Sequence, residues 1–314
     1  MIVSASRRTD IPAFYSDWMI NRIKAGYCTV FNPMNRSQIK YVSLKPEDVD
    51  VIVFWTKYSK PLRDKLILLD ERGLKYYFQY TLTHYSRDIE TRVPNFGLLK
   101  TEFIKLANKI GPNRIVWRYD PIIISEQYSF KKHIDLFGKL AEDLRGLTNR
   151  VVISLVDYYK KTISNLSSSM NGFSWINQHP EQSEQFGKFI AQLIQISSSN
   201  HYEIQSCAEP IELEEYGIPP GKCIDDQLIQ RAFGIDVTHR KDKGQRKECG
   251  CVQSIDIGVY ETCLHGCQYC YATKNHDSAK IHFDGHDPRS PSLLGWHDAK
   301  PRKSKKAEQM ALGL

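Results

Sequence analysis

Short apolar runs of β-strand length alternate with helical patterns along most of the chain, and this alternation limits the possible folds more than any other feature. The runs are rich in β-branched and aromatic residues and cover residues 2–5, 51–55, 76–81, 115–119, 151–156, 202–206 and 255–259. Amphipathic segments lie between them, at residues 14–25, 61–72, 98–110, 129–145 and 181–196. Repeated βα units predict an α/β fold with a parallel sheet, either closed as a barrel or open and doubly wound.

Polar side chains follow the predicted strands at the ends where a barrel enzyme builds its active site. They recur after four different strands and comprise Arg7, Arg8, Asp10, Lys57, Arg118, Asp120 and Glu209. This repetition favours a (β/α) barrel or partial barrel, and the first six are candidate catalytic residues. Each Arg and Asp set can either bind a carboxylate or phosphate or form an internal ion pair, and the sequence leaves both possibilities open.

Three cysteines stand on one short loop. Cys263, Cys267 and Cys270 have Cys-x3-Cys-x2-Cys spacing, and the aromatic Tyr269 directly precedes the last of them. Three thiolates can hold three corners of a 4Fe-4S cluster and leave its fourth iron free to bind a small molecule. A zinc knuckle completed by His265, Cys249 or another ligand is the alternative, but zinc motifs usually pair two Cys-x2-Cys units at a distance. The spacing therefore favours an iron-sulfur cluster.

This loop resembles the cluster loop of the radical S-adenosylmethionine superfamily, which has the same spacing and an aromatic residue at the position of Tyr269. Motifs at residues 4–12, 53–57 and 256–258 resemble the family called domain of unknown function 1848. In the superfamily the loop follows the first barrel strand, whereas here it lies near the C-terminus. The barrel is therefore either circularly permuted or carries the loop as an addition.

The resemblance also implies an activity. A 4Fe-4S cluster would reduce bound S-adenosylmethionine to a 5′-deoxyadenosyl radical, which takes a hydrogen atom from an unknown substrate in the barrel mouth. Tyr269 and Glu209 would bind the cofactor, and an external electron donor would supply the reducing equivalent. We therefore expect an enzyme of this type.

Four further cysteines, Cys207, Cys223, Cys249 and Cys251, form a second candidate metal site. In a reducing cytosol, clustered cysteines are more often metal ligands than disulfides. Four thiolates suit a zinc ion and a second iron-sulfur cluster alike, so ligand identity leaves both open. Cys28 stands apart and is expected to be a small buried apolar residue.

The chain divides into a barrel-like domain at 1–210, a cysteine-rich segment at 211–299 that completes the barrel, and a basic flexible tail at 300–314. No apolar run approaches the roughly twenty residues of a membrane span, and Arg7 and Arg8 interrupt the N-terminus where a signal peptide would be apolar. We therefore expect a cytoplasmic protein without membrane partners.

Two other functions stay open. The first is a zinc-stabilised protein without catalysis that binds nucleic acid through the basic tail and the cysteine-rich region. The tail supplies five cations to a chain with a net charge of +7. The second is an iron-sulfur electron carrier.

Overall fold

The computed structural model describes residues 1–32, 35–169 and 178–300. The strands are β1 (Ile2–Ala5), β2 (Tyr27–Asn32), β3 (Asn35–Ser43), β4 (Val51–Thr56), β5 (Tyr76–Thr81), β6 (Ile115–Ile122), β7 (Arg150–Leu155), β8 (Glu203–Ser206) and β9 (Ile255–Asp256). The helices are α1 (Ile11–Phe14), α2 (Ser16–Ala25), α3 (Lys60–Arg63), α4 (Ile67–Glu71), α5 (Phe96–Ile110), α6 (Phe130–Asp143), α7 (Lys160–Ser169), α8 (Phe186–Ser199), α9 (Asp226–Phe233) and α10 (His276–Asp284). The predicted basic tail lies outside the described residues, apart from Lys300.

A seven-stranded parallel sheet forms the centre of the fold, with the order β8-β7-β6-β5-β4-β1-β9. From β4 to β8, neighbours in the sheet are also successive strands of the chain's βα units, as in a barrel. The last strand, β9, pairs with β1 through Val3↔Ile255 and Ser4↔Asp256, where it would lie between β8 and β1 in a closed ring. The sheet as described is open between β8 and β9. The prediction of a parallel α/β partial barrel is confirmed.

Both faces of the sheet are buried. Successive residues of a strand point to opposite sides of the sheet, and in the central strands both sets of side chains are buried. On the outer face, Phe54, Phe78 and Trp117 belong to a core shared with helices α2, α5, α6 and α8. On the inner face, Val53 and Tyr77 pack with apolar residues of the cysteine-rich segment. Burial on both faces explains why these strands read as continuous apolar runs rather than as alternating ones.

The cysteine-rich segment crosses the inner face from one edge of the sheet to the other, since it joins β8 to β9. The backbone oxygen of Cys223 accepts hydrogen bonds from Tyr77 Oη at 2.7 Å and Gln79 Nε2 at 2.8 Å. Asp225 pairs with the buried Arg150 on β7 at 2.5 Å. The interior of the partial barrel is thus filled by this segment.

Several local expectations need correction. The segment 61–72, predicted as one helix, forms two short helices. Hydrogen bonds from residue i to residue i−3, as in a 3-10 helix, tighten the turns between them, and Lys65 N donates to Leu62 O at 2.9 Å. The helix predicted at 181–196 begins at Phe186. The antiparallel β2–β3 hairpin and helices α9 and α10 were not predicted. Among the helices in the described ranges, none is both long and apolar enough to span a membrane.

Candidate functional site

A cavity of about 540 Å³ lies at the carboxyl ends of the parallel strands. The loops after β1, β4, β6, β7 and β8 form its walls together with the cysteine-rich segment. Every residue that the sequence analysis assigned to a site lines this cavity: Arg7, Arg8, Asp10, Lys57, Arg118, Asp120, Cys207, Glu209, Cys223, Cys249, Cys251, Cys263, Cys267, Tyr269 and Cys270. Parallel strands bring their carboxyl ends to one edge, so residues distant in sequence meet there.

The cysteine loop is held on the cavity wall by backbone contacts with residues 89–92. Gln268 N donates to Ile89 O at 2.9 Å, and Arg92 N donates to His265 O at 3.0 Å. Gly266 has a φ of +68°, and a Cβ atom there would lie 2.2 Å from Thr91 Oγ1. Only glycine fits this turn of the loop without displacing its neighbour.

The three thiols of this loop are close enough to interact electrostatically. Negative charge on Cys270 raises the pKa of Cys263, and both of them raise that of Cys267, although burial is the larger cause in each case. Burial and mutual repulsion thus oppose ionisation of these thiols, and a bound cation would offset both. Soft thiolates are the ligands that iron-sulfur clusters use, so three of them on one cavity wall fit such a group. Among the described residues, no three or more His, Cys, Asp or Glu side chains already surround a point as a metal site.

Lys57 and Tyr269 meet at the buried carboxylate of Glu90. The carboxylate accepts hydrogen bonds from Lys57 Nζ at 2.7 Å, Tyr269 Oη at 2.5 Å and Thr83 Oγ1 at 3.1 Å. Burial opposes charge on both members of the ion pair, but their attraction outweighs it, so the pKa of Lys57 is raised and that of Glu90 is lowered. Both stay ionised, and Lys57 Nζ lies 5.8 Å from the centroid of the Tyr269 ring.

Asp10 joins three parts of the site instead of standing free for chemistry. Its side chain caps helix α1 by accepting from Ala13 N at 2.9 Å, and it accepts from Lys57 N at 2.8 Å. His265 Nε2 lies 2.7 Å from the same carboxylate. Through these contacts Asp10 links His265 of the cysteine loop to the ends of β1 and β4.

Arg118 and Asp120 form an internal ion pair at the end of β6. Arg118 also donates to Cys223 Sγ at 2.7 Å, and Ser154 donates to Asp120. Of the two roles that the sequence left open for these residues, the ion pair is therefore present. It does not exclude contact with a bound anion, because both residues line the cavity.

Arg7 and Arg8 point to different parts of the site. The Arg8 guanidinium lies 5.1 Å from the Tyr260 ring centroid and donates to Gly258 O at 3.3 Å. The Arg7 guanidinium lies 5.3 Å from the Trp55 ring centroid, and its buried Nη2 has no hydrogen-bond partner among the described residues. An unpaired guanidinium donor in a cavity suits an anionic ligand.

The second set of four cysteines gathers within the same cavity. Cys207 and Cys223 have their sulfurs 3.1 Å apart, and Cys207 packs against a buried cluster that contains Cys223, Cys249 and Cys251. The hydrogen bond with Cys223 lowers the pKa of Cys207 to about 7, although burial opposes this. These residues span more than forty positions of the sequence, and the fold brings them together.

Glu209 accepts a hydrogen bond from Leu155 N at 2.9 Å. Burial, together with the negative charges of Asp120, Cys207 and Asp157, raises its pKa to about 9. Its carboxyl group is therefore protonated at neutral pH, and it can donate a hydrogen bond as well as accept one.

Sequence reasoning missed two carboxylates that contact residues of the candidate site. Glu90 lies in a stretch without a recognisable motif, and only the docking of the cysteine loop reveals it. Asp256 accepts from Ser4 Oγ and Ser6 Oγ, both at 2.6 Å, and from Arg7 N at 2.9 Å, so it fixes the turn after β1. Asp256 belongs to the sequence motif at 256–258, and that motif could have identified it as a candidate.

Comparison with known proteins gives one family and partial structural likenesses. The model of a domain of unknown function, DUF1848, matches residues 2–272. No curated protein is significantly similar to the chain in sequence. Two structures of spore photoproduct lyase match with 15% identity and a TM-score of 0.34, over 49% of this chain and 50% of theirs. One has bound AdoMet and dinucleoside spore photoproduct, and the other is complexed with the dinucleoside spore photoproduct.

The chain thus spans about half the length of the spore photoproduct lyase chains. The citrate synthase SbnG matches with 11% identity and a TM-score of 0.26, over 70% of this chain and 82% of that one.

Proposed function

The chain belongs to the family described as a domain of unknown function, DUF1848, and we propose that it is an iron-sulfur enzyme of the radical S-adenosylmethionine type. One observation carries this proposal. Three thiols of a single loop, Cys263, Cys267 and Cys270, line the same cavity as the charged residues at the strand ends. Barrel enzymes assemble their active sites at this end of the sheet, from the loops that follow the strands.

The three cysteines would hold a 4Fe-4S cluster, and the loop supplies no fourth thiol to it. When bound, this group supplies the electron that cleaves S-adenosylmethionine, with an external donor as its source. The positive charge of Lys57 lies beside the cysteine loop, because Glu90 holds the ammonium and the Tyr269 hydroxyl at one carboxylate. Burial and the Glu90 carboxylate raise the pKa of the Cys267 thiol, whereas the Lys57 ammonium lowers it and so favours a thiolate there.

The remaining residues of the site would bind the cofactor or the substrate and close the cavity to water. Arg7 offers an unpaired buried donor for a carboxylate of the cofactor or of the substrate. Protonated Glu209 can donate a hydrogen bond to a neutral acceptor on the cofactor. The cysteine-rich segment covers the inner face of the sheet, which limits the access of water to a reactive species in the cavity.

The test replaces Cys267 with alanine in protein purified and reconstituted without oxygen. We expect wild type to contain iron and sulfide, to be brown, and to form 5′-deoxyadenosine from S-adenosylmethionine when a chemical reductant is added. The Cys267→Ala variant should lose the colour and the cleavage together. Cys28→Ala is the matched control, because Cys28 is fully buried on β2 and does not line the cavity.

Cleavage retained by Cys267→Ala would overturn the proposal. A wild-type protein with iron whose spectrum does not respond to S-adenosylmethionine would instead be an electron carrier.

A further inference from the structure

We propose that Cys207, Cys223, Cys249 and Cys251 hold one zinc ion in a closed site of four thiolates that fastens the cysteine-rich segment across the open partial barrel. The inference rests on the geometry of these four residues alone. It stands or falls independently of the cluster proposed for the other cysteine loop.

The four cysteines gather in one cluster. Cys207 lies at the end of β8, and its sulfur is 3.1 Å from that of Cys223. Cys223, Cys249 and Cys251 lie in one buried cluster, and Cys207 packs against it. All four are free thiols with no disulfide between them. Clustering of four reduced cysteines from separate segments is typical of a metal site.

The distance between the Cys207 and Cys223 sulfurs favours a single ion over a cluster. Zinc binds thiolates at about 2.3 Å in a tetrahedron, which places the sulfurs roughly 3.8 Å from one another. The Cys207 and Cys223 sulfurs would have to separate by about 0.7 Å from their present 3.1 Å, a change within reach of small side-chain rotations. As they stand, the described side chains do not yet surround an ion. An iron-sulfur cube spreads its ligands farther and would need a much larger movement.

The surroundings suit the charge of such a site. Zinc with four thiolates carries a net charge of about −2. Arg118 Nη1 lies 2.7 Å from Cys223 Sγ, and Ile224 N donates to Cys251 Sγ at 3.3 Å. The positive charge of Arg7 also attracts a thiolate at Cys251. Hydrogen bonds to ligand sulfurs from outside the coordination sphere stabilise a metal thiolate.

The position of the four ligands indicates what the ion does. Residues 207–251 lead from the β8 edge of the sheet across its inner face, and no ladder closes the ring between β8 and β9 in the described part of the chain. Cys223, Cys249 and Cys251 pack there with the inner-face side chains of the strands. With all four positions filled by protein, the ion has no open site for a substrate, so its role is structural.

The experiment measures zinc and iron per chain in anaerobically purified protein. Wild type, Cys267→Ala and the control Cys28→Ala should each contain about one zinc per chain. In Cys249→Ala, competition with a chromophoric chelator should show zinc affinity reduced by more than the roughly 10- to 100-fold that loss of an outer hydrogen-bond partner costs. Iron content should fall in Cys267→Ala and remain in Cys249→Ala, which separates this proposal from that for the catalytic loop.

A second measurement covers the case in which Cys249→Ala does not fold. Cobalt added to metal-depleted wild type should give the intense visible absorption of tetrahedral cobalt thiolate, and zinc should remove it. Wild type that neither contains zinc nor takes up zinc or cobalt overturns the proposal. The same holds if Cys249→Ala loses iron and not zinc, or if mass spectrometry finds a Cys207–Cys223 disulfide in the purified protein.

Discussion

Replacement of Glu90 by glutamine tests the role assigned to this carboxylate beside the cysteine loop. Glutamine has nearly the same shape, so the change removes a charge and little packing. The Glu90 side chain is 4% exposed and that of Lys57 is 11% exposed. The variant therefore leaves the Lys57 ammonium buried without its counter-charge, which typically destabilises a protein by about 3–5 kcal/mol.

The response of Lys57 limits this cost and gives it a pH dependence. An unfolded lysine has a pKa near 10.4, so loss of the proton at pH 7 costs about 1.36 × 3.4, or roughly 4.6 kcal/mol. At pH 9 the same step costs only about 1.9 kcal/mol. In the variant, burial lowers the folded pKa of Lys57, so the unfolded state binds more protons and stability rises with pH. The deficit relative to wild type should thus shrink from about 4 kcal/mol at pH 7 to about 2 kcal/mol at pH 9.

The assay is urea unfolding at both pH values, with Lys57→Met and the double variant completing a mutant cycle. We expect the double variant to be at least about 2 kcal/mol more stable than the sum of the single changes predicts. The matched control is Asp143→Asn, because Asp143 pairs with Lys100 at 2.8 Å on the surface, where both side chains are about 30% exposed. It should cost under about 1 kcal/mol at either pH. Additive single changes, or a deficit independent of pH, would refute the reasoning.

Three further changes probe the scaffold. His133 is buried, its nitrogens contact Tyr119 Oη and Ile123 O, and burial lowers its pKa to about 4. Since an unfolded histidine titrates near 6.5, its contribution is complete above that pH, and acidification to pH 5 should cost about 2 kcal/mol in urea unfolding. The loss should disappear in His133→Gln. Gly266→Ala should destabilise more than the control Gly73→Ala, because both glycines have a positive φ but only at Gly266 would the new Cβ clash. The control should cost about 1–2 kcal/mol by thermal unfolding, and equal costs would contradict the crowding at Thr91. Ser129→Ala removes the side-chain acceptor for Lys132 N at 3.2 Å and should cost about 1 kcal/mol, whereas no loss would exclude the cap.

Local sequence patterns predicted the main sheet because its strands depend on local features. The run at 76–81 coincides with β5, and the strand at Ile2–Ala5 is likewise placed correctly, since β-branched and aromatic residues between turn signals are sufficient evidence for a buried strand. The predicted segments 98–110 and 129–145 also end and begin near the observed bounds of α5 and α6, where Gly111 ends α5 and the Ser129 side chain caps α6.

Other elements depend on packing and escaped local rules. The β2–β3 hairpin is separate from the main sheet, and its strands are only partly buried, so no strong apolar pattern marks it. Leu62, Leu66 and Leu69, which lie around the interruption between α3 and α4, are all in the core. Periodicity alone does not reveal it, since a continuous helix would also place these residues on nearly one face.

The sequence by itself determined the βα repeat, the charged residues after the strands and the spacing of the cysteine loop, because each is a relation between residues close in the chain. Only the tertiary structure decided that both cysteine sets line one cavity, that Glu90 holds Lys57 and Tyr269 together, and that Asp10 is occupied in linking the cysteine loop to the strand ends. These contacts join residues separated by tens to hundreds of positions. They arise when a parallel sheet brings its strand ends to one edge and buries their polar groups, which must then find partners.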